Sequence, residues 1–428
     1  MPCEPLQNLS LIIIDEEHEP SYKQDQSPRY KVHEIAYKIQ EIAANHDKEI
    51  KIVLGSATPS VDTFAKFENS AITLNERIGT AKLPKIHIVD MREEFRKRNK
   101  SIFSDLLFEK IKETLDEKKQ IILFLNRRGS ASSIVCRDCG YKHKCKNCDI
   151  PLTYHAKTLG KPLVICHHCG SIDKIPINCP ACKSLNIRYL GIGTERIEEE
   201  TKKLFKNARI LRADRDTTSR KNSFEQIYCS FKNHEADILI GTQMIGKGLH
   251  IPNVKLVGVI LADIGLNIPD FTTAERNFQL LTQVAGRAGR NDEEGEVIIQ
   301  TYSPEHFALK ATEKQNYKDF FEIEKSQRKI LNYPPFTHLV KISIEHEKFE
   351  KAKEKAEKIE KIIKEKISTT EEKNIDEITI YPAFIMKLNN KFRYRILLKG
   401  KNPRSIIDKL DPEILEQIKI DIDPISTS

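Results

Sequence analysis

A chain of 428 residues, 39% hydrophobic and 31% charged, has room for about three folded domains and the composition of a soluble protein. No apolar run approaches the roughly 18 residues a membrane span needs, and the opening MPCEPLQNLS lacks the basic-then-apolar order of a secretory signal. The net charge of +8 suits a polyanionic partner.

The first element, LIIIDEEH (11–18), is four apolar residues followed by acids. It predicts a buried parallel strand carrying Asp15 and Glu16 at its carboxyl end, where open α/β sheets bind ligands. An Asp there can hold Mg²⁺ through water, and the adjacent Glu can polarise the water that attacks a γ-phosphate. KIVLGSATPS (51–60) predicts a second strand ending in a turn that bears Ser56 and Thr58. The charged stretch 76–100 reads as an irregular crossing, followed by a helix from Ser101 and the strand IILFLNRRG (121–129).

Eight of the ten cysteines then fall in four Cys-x-x-Cys pairs: Cys136/Cys139, Cys145/Cys148, Cys166/Cys169 and Cys179/Cys182. Two residues between cysteines let one turn aim both sulfurs at one ion, and two such knuckles complete a tetrahedral zinc shell. Disulfides would need an oxidising compartment, which nothing else in the chain suggests. PLTYHAK, TLGKP and LVI read as strand, turn, strand between Cys148 and Cys166. A zinc ribbon closed on that hairpin would use Cys145, Cys148, Cys166 and Cys169. The other four, Cys136, Cys139, Cys179 and Cys182, would form an outer site. The rival pairing joins Cys136/Cys139 to Cys145/Cys148 and leaves the hairpin unclosed. His143, His155, His167 and His168 read as surface or supporting residues, and Cys229 as a small packing residue in a helix.

Downstream, ADILIGTQMIGKGLHIPNV (236–254) predicts a strand, a turn with Thr242 and a loop with Lys247. QVAGRAGR (283–290) places Arg287 and Arg290 three apart on a predicted helix, as residues that can reach ATP phosphates from an opposing lobe. The hydroxyls and amides of the Gly-Ser-Ala-Thr and Gly-Thr turns can hold a nucleic-acid backbone. Gly241-x4-Gly246-Lys247-Gly248 is not a phosphate loop, because Gly248 stands where the Mg²⁺-binding Ser or Thr belongs. NYPPF (332–336) marks a boundary. The tail then reads strand, helix, strand, strand, helix, strand, a βαββαβ order of ferredoxin-like type. Lys391, Arg393 and Arg395 recur at period two and predict a basic strand face.

Taken together, DEEHEPSYKQDQSPRY, GSATPS, NRRG followed by the cysteine cassette, GTER (193–196), GTQMIGKGLHIPNV and QVAGRAGR resemble the PriA family (primosomal protein N′) of bacterial replication-restart helicases, in superfamily 2. The resemblance implies 3′→5′ ATP-dependent DNA unwinding at stalled forks, two structural Zn²⁺ ions in the nested pairing, and ATP with Mg²⁺. It implies that Asp15 and Glu16 serve Mg²⁺ and water, and that His18 couples the ATP site to DNA. It makes Ser21–Tyr30, with Tyr22 and Tyr30, a DNA-sensing loop, Arg287 and Arg290 ATP contacts, and Thr242 and Lys247 parts of the linking loop. Implied partners are forked or single-stranded DNA and the proteins that load the replicative helicase, in the cytoplasm.

The expected fold is α/β: the rear of one RecA-like lobe (1–76), a linker and the start of a second lobe (77–132), the zinc cassette (133–185), the rest of lobe two (186–331) and a small α+β domain (332–428). No G-x4-G-K-[ST] segment exists in the chain. The chain is therefore expected to be the C-terminal portion of such a helicase and inactive alone, whether from a split gene, a misplaced start codon or a decaying gene; a split gene would supply the missing half as a separate polypeptide. The alternative is a non-catalytic, zinc-supported scaffold that binds DNA and partners. A zinc-ribbon RNA factor would leave QVAGRAGR and GSATPS unexplained.

Overall fold

The computed structural model describes residues 8–24, 26–74, 82–126, 132–147, 151–155, 162–167, 169–190, 193–214, 216–218, 223–246, 251, 253–289, 294–368 and 374–428. Its centre is a six-stranded sheet in the order Ile210–Ala213, Ile238–Gly241, Gln120–Phe124, Val254–Val259, Glu296–Thr301, Lys85–Asp90, with every neighbouring pair parallel. Successive strand residues face opposite sides, so a strand covered on both faces must be apolar throughout. The wholly buried QIILF obeys this rule except at Gln120, whose Nε2 donates to Phe231 O at 2.7 Å and Ala236 O at 2.9 Å. Ile122 and Phe124 join the core shared with Leu281 and Val284, and Ile121 and Leu123 join the opposite core with Leu107 and Ile111. Ser104 starts the Asp105–Asp116 helix by accepting from Leu107 N at 3.2 Å.

The crossing expected at 76–100 is in part regular. Lys85–Asp90 is the sheet's edge strand and Met91–Arg96 a short helix capped by Asp90. Its charges hide an alternation in which Ile86 is buried and Ile88 packs beside it.

Before this sheet, Leu11–Ile14 pairs in parallel with Lys51–Leu54, with the Val32–Ala44 helix between them. The parallel pairing follows the sequence reading; the burial does not. Ile14 is 3% exposed, but Ile13 is 64% and Val53 49% exposed, because only two strands form this sheet. The unit is fastened to the larger one through Val61, Phe64, Phe278, Phe320 and Phe321.

The cysteine segment forms an antiparallel five-stranded sheet: Ile172–Asp173, Leu163–Ile165, Thr153–His155, Ser132–Cys136, Ile187–Leu190. Ile187–Leu190, read from sequence as a return to the second lobe, closes this sheet instead by pairing with Ser132–Cys136.

In the tail, strands His338–His346, Glu377–Leu388, Lys391–Gly400 and Lys419–Ile422 form an antiparallel sheet whose spatial order is second, third, first, fourth. That is the ferredoxin-like arrangement. Ala352, Ala356, Ile359 and Ile363 form the buried stripe of the Phe349–Ser368 helix on this sheet. The predicted basic face is not a free surface. Arg395 is 9% exposed and donates to Ser343 Oγ, and Arg393 Nε donates to Ile385 O at 2.9 Å. The face was misread because period two says which residues share a side, not what covers that side. No helix among the described residues is long and apolar enough to cross a membrane.

Candidate functional site

Asp15 and Glu16 follow the first strand beside the Gly55 turn: Gly55 N donates to Ile14 O at 2.9 Å and Glu17 N to Gly55 O at 3.0 Å. Glu16 sits at φ +47, a left-handed conformation that costs a residue with a Cβ roughly 1 kcal/mol. Asp15 Oδ1 accepts from Glu16 N at 2.9 Å and Asp15 O from Tyr22 Oη at 2.8 Å, so Tyr22 braces the acidic turn. Both residues are exposed.

Behind them Glu17 is buried and holds the second turn in place. It accepts from Ser60 N at 2.5 Å and Thr63 Oγ1 at 2.8 Å, and lies 3.3 Å from His33 Nε2. Burial alone would raise its pKa, but the bonds from His33, Ser60 and Thr63 win and hold it below the usual carboxylate range. Sequence reasoning passed over Glu17. Its signal was the Ser60-x-x-Thr63 helix start, which offers donors to an acid.

His18 spans the cleft. Its Nδ1 lies 2.7 Å from Ser56 Oγ and 3.6 Å from Glu16 Oε2, and its Nε2 faces Gln283 Nε2 at 3.0 Å. A donating Gln283 amide fixes the tautomer with hydrogen on Nδ1, aimed at Ser56. Gln283 is the first residue of QVAGRAGR and was missed because the reading concentrated on the arginines. The Thr273–Ala285 helix ends before those arginines, so Arg287 stands on the turn beyond it. Gly286 stands at the helix's C-cap. Arg287 donates to Gly246 O at 2.7 Å and so braces the Gln243–Gly246 turn. Thr242 N bonds Ala213 O at 3.3 Å, Ser56 Oγ accepts from Thr58 N at 3.0 Å, and Thr58 is buried. Lys247 and Arg290 lie outside the described residues.

The loop after His18 reaches the tail. Lys23 Nζ donates to Ile422 O at 2.7 Å and pairs with Asp421 at 3.1 Å, and Arg29 donates to Ile420 O at 3.0 Å. Tyr22 is edge-on to His33, and Tyr30 is half-buried.

Arg328, also unforeseen, organises the base of the cleft. It is 3% exposed and contacts Glu275 at 2.6 Å, Glu324 at 2.8 Å and Asp62 at 3.2 Å. Glu275 also accepts from Val61 N at 2.7 Å, which ties the two parallel sheets together.

The cysteines gather into two clusters, Cys136, Cys139, Cys179 and Cys182 in one, Cys145, Cys166 and Cys169 in the other. Cys148 lies outside the described residues. Sulfur separations are 3.6 Å for Cys136–Cys182 and Cys139–Cys179, and 3.7 Å for Cys145–Cys169. A tetrahedron of Zn–S bonds of about 2.3 Å requires about 3.8 Å. A disulfide requires about 2.05 Å. The clusters fit zinc. Three knuckles share one backbone pattern: the first cysteine's carbonyl accepts from Gly140, Gly170 or Lys183 N at 2.9 Å, each at positive φ. Glycine suits that left-handed position.

The histidines read as surface or supporting residues are buried: His143, His155 and His167 are 8%, 9% and 4% exposed. His155 Nε2 meets His167 Nε2 at 2.9 Å, and His167 Nδ1 meets Pro382 O at 3.0 Å, so the hairpin is bonded to the tail. Burial pulls both down to about 4, which keeps the pair neutral. His168 and Cys3 are outside the described residues. Cys229 is exposed on the Ser223–Lys232 helix, not packed inside.

The chain combines a parallel sheet, an acidic turn beside it and a cysteine insert whose two clusters fit zinc, and it matches the helicase class of proteins. Matching family models are the Primosomal protein N C-terminal domain at 329–425, the Helicase conserved C-terminal domain at 163–292 and the PriA DNA helicase Cys-rich region at 145–172. The chain is 43% identical to Replication restart protein PriA of Bacillus subtilis, over 98% of this chain and 51% of that protein. It is 39% identical to that of Synechocystis, over 99% and 51%, and 36% to that of Borreliella burgdorferi, over 97% and 60%. The chain belongs to the PriA family of replication restart proteins. It spans about half the length of the first two of these relatives.

Proposed function

We propose that this chain forms the second motor lobe, the zinc cassette, the tail and the acidic turn of the first lobe in an ATP-driven, 3′→5′ DNA helicase of replication restart. The observation that carries the reading is the contact of Gln283 with His18, 3.0 Å across the cleft beside Asp15 and Glu16. A motor of this class needs its second lobe to register what the acids hold.

In this reading Asp15 holds Mg²⁺ through water and Glu16 orients the attacking water. Arg287 and Arg290 reach the phosphates when the lobes close, and Arg287 then exchanges its bond to Gly246 O. Ser56 and Thr242, with Lys247, hold the strand's phosphates, buried Thr58 supports the Ser56 turn from within instead of touching DNA, and His18 passes the state of the acids to that turn. Tyr22 and Tyr30 belong to the loop that senses DNA. Asp15, Glu16, Arg287 and Arg290 are the proposed catalytic set. Eight cysteines, with Cys148 completing the inner shell, hold two structural Zn²⁺ ions, which stiffen the cassette and take no part in hydrolysis. Forked or single-stranded DNA and the proteins that load the replicative helicase are the proposed partners, in the cytoplasm.

A scaffold reading competes on one observation: these 428 residues contain no G-x4-G-K-[ST] segment to cradle the β- and γ-phosphates. DNA binding separates the readings by its response to nucleotide. Fluorescence anisotropy of forked DNA should report affinity that shifts several-fold between ADP and a non-hydrolysable ATP analogue once a phosphate-loop segment from a PriA relative is added in trans. The same affinity in every nucleotide state supports the scaffold and overturns the motor.

A further inference from the structure

A chain of three side-chain amides lies beyond the carboxyl ends of the central strands. Gln243 Nε2 donates to Asn126 Oδ1 at 2.9 Å, Asn126 Nδ2 to Asn277 Oδ1 at 2.8 Å, and Asn277 Nδ2 to Thr273 O at 2.8 Å. Asn126 and Asn277 are 4% and 3% exposed. Burying amides costs more than burying hydrocarbon, so such a chain calls for a reason. Gly265 makes the space for it: a Cβ there would collide with both Asn126 Nδ2 and Asn277 Oδ1. Each amide nitrogen carries two hydrogens, and these bonds use one from Asn126 and one from Asn277.

A cavity of about 200 Å³ opens against the amides. Its lining also includes Phe384 and Ile385 from the tail strand, with Leu280, Asp270 and Arg276. That strand slips register between Pro382 and Lys387, and such a bulge re-aims side chains out of the regular alternation. The bulge is held from two sides. Arg393 donates to Ile385 O, and the His167 ring lies edge-on to Phe384 with centroids 5.4 Å apart. Ile385, which lines the cavity, is nevertheless 50% exposed.

A cavity lined by both an aromatic ring and a row of amides suits a flat ligand with apolar faces and a hydrogen-bonding edge. Nucleobases have that form: they stack on aromatic side chains and present donors and acceptors that Asn and Gln match. The location agrees, because Asn126 and Gln243 each stand two residues past the strands ending at Phe124 and Gly241, where open parallel sheets bind ligands. We propose that this cavity takes one base turned out of a single DNA strand, an inference that rests on the DNA-binding reading above.

The test is equilibrium binding of the full chain to a homothymidine strand and to a strand of equal length made only of abasic sugar-phosphates. Phe384→Ala and Asn126→Ala should each weaken binding of the thymidine strand by about tenfold and leave the abasic strand unchanged. Phe384 lies at the rim, so its variant keeps the test valid if Asn126→Ala fails to fold. Equal losses on both strands, or on neither, overturn the base-holding cavity and leave DNA binding standing. A wild-type chain that binds neither strand sinks the DNA-binding reading and this inference with it.

Discussion

Gln283 Nε2 lies 3.0 Å from His18 Nε2, and through that contact the helix leading to Arg287 touches the segment that carries Asp15 and Glu16. His18 Nδ1 extends the line to Ser56 Oγ at 2.7 Å. One imidazole thus joins the acidic turn, the Gly-Ser-Ala-Thr turn and the second lobe.

Gln283→Ala removes the second-lobe end of that line. A hydrogen bond of this kind is worth about 1 kcal/mol, so the chain stays folded. Hydrogen exchange should quicken in 11–18 and 51–60 while the cassette strands are unaffected. Unchanged exchange in both lobe-one segments would show that His18 gains nothing from the contact.

Metal analysis of the purified chain should give about two zinc ions, and Cys139→Ser or Cys166→Ser about one. The two variants differ in their effect. Cys166→Ser should also loosen the tail, because His167 beside it bonds Pro382 O. Protease cutting within 377–388 reports that loosening.

Arg328→Met leaves Glu275 and Glu324 buried, and the half-buried Asp62, without their shared cation. Breaking a buried pair from one side costs about 3–5 kcal/mol, and here two buried acids lose their partner. Urea unfolding should show that loss. Adding Glu275→Gln to Arg328→Met should recover part of it.

Acid should weaken the fold in two windows. Burial, with Lys142 beside it, pulls His306 down to about 4 from the ordinary 6.5, so the folded protein binds fewer protons than the unfolded chain between those values. Stability therefore falls as pH drops through that interval, by at most about 3 kcal/mol. Glu17 has the opposite charge type and the same outcome: its folded pKa lies below the ordinary 4.5, so its contribution is full above that value and fades as pH falls further. Thermal unfolding from pH 7 to pH 4 should show the first loss, reduced in His306→Gln.

Much of this architecture is written in local pattern. Apolar runs ending in turns give the parallel sheet, and Cys-x-x-Cys spacing with a hairpin gives both cysteine clusters. The order of tail elements gives the ferredoxin-like sheet. What escaped was decided by distant partners. Arg395 has the spacing of a surface cation, yet it is buried and bonded to Ser343 on the neighbouring strand. His155 and His167 look like spare residues until the fold sets them together against the tail. Ile13 reads as core, but this two-stranded sheet leaves it exposed. Arg328 and Gln283 carry no motif weight of their own; their meaning lies in partners more than 200 residues away, Asp62 and His18.

The most direct test of the motor account is ATP hydrolysis stimulated by forked DNA, measured with this chain plus a phosphate-loop segment from a PriA relative supplied in trans. The account predicts turnover that Glu16→Gln and Arg287→Ala each abolish. No DNA-stimulated turnover in the mixture, or turnover indifferent to both substitutions, would contradict it.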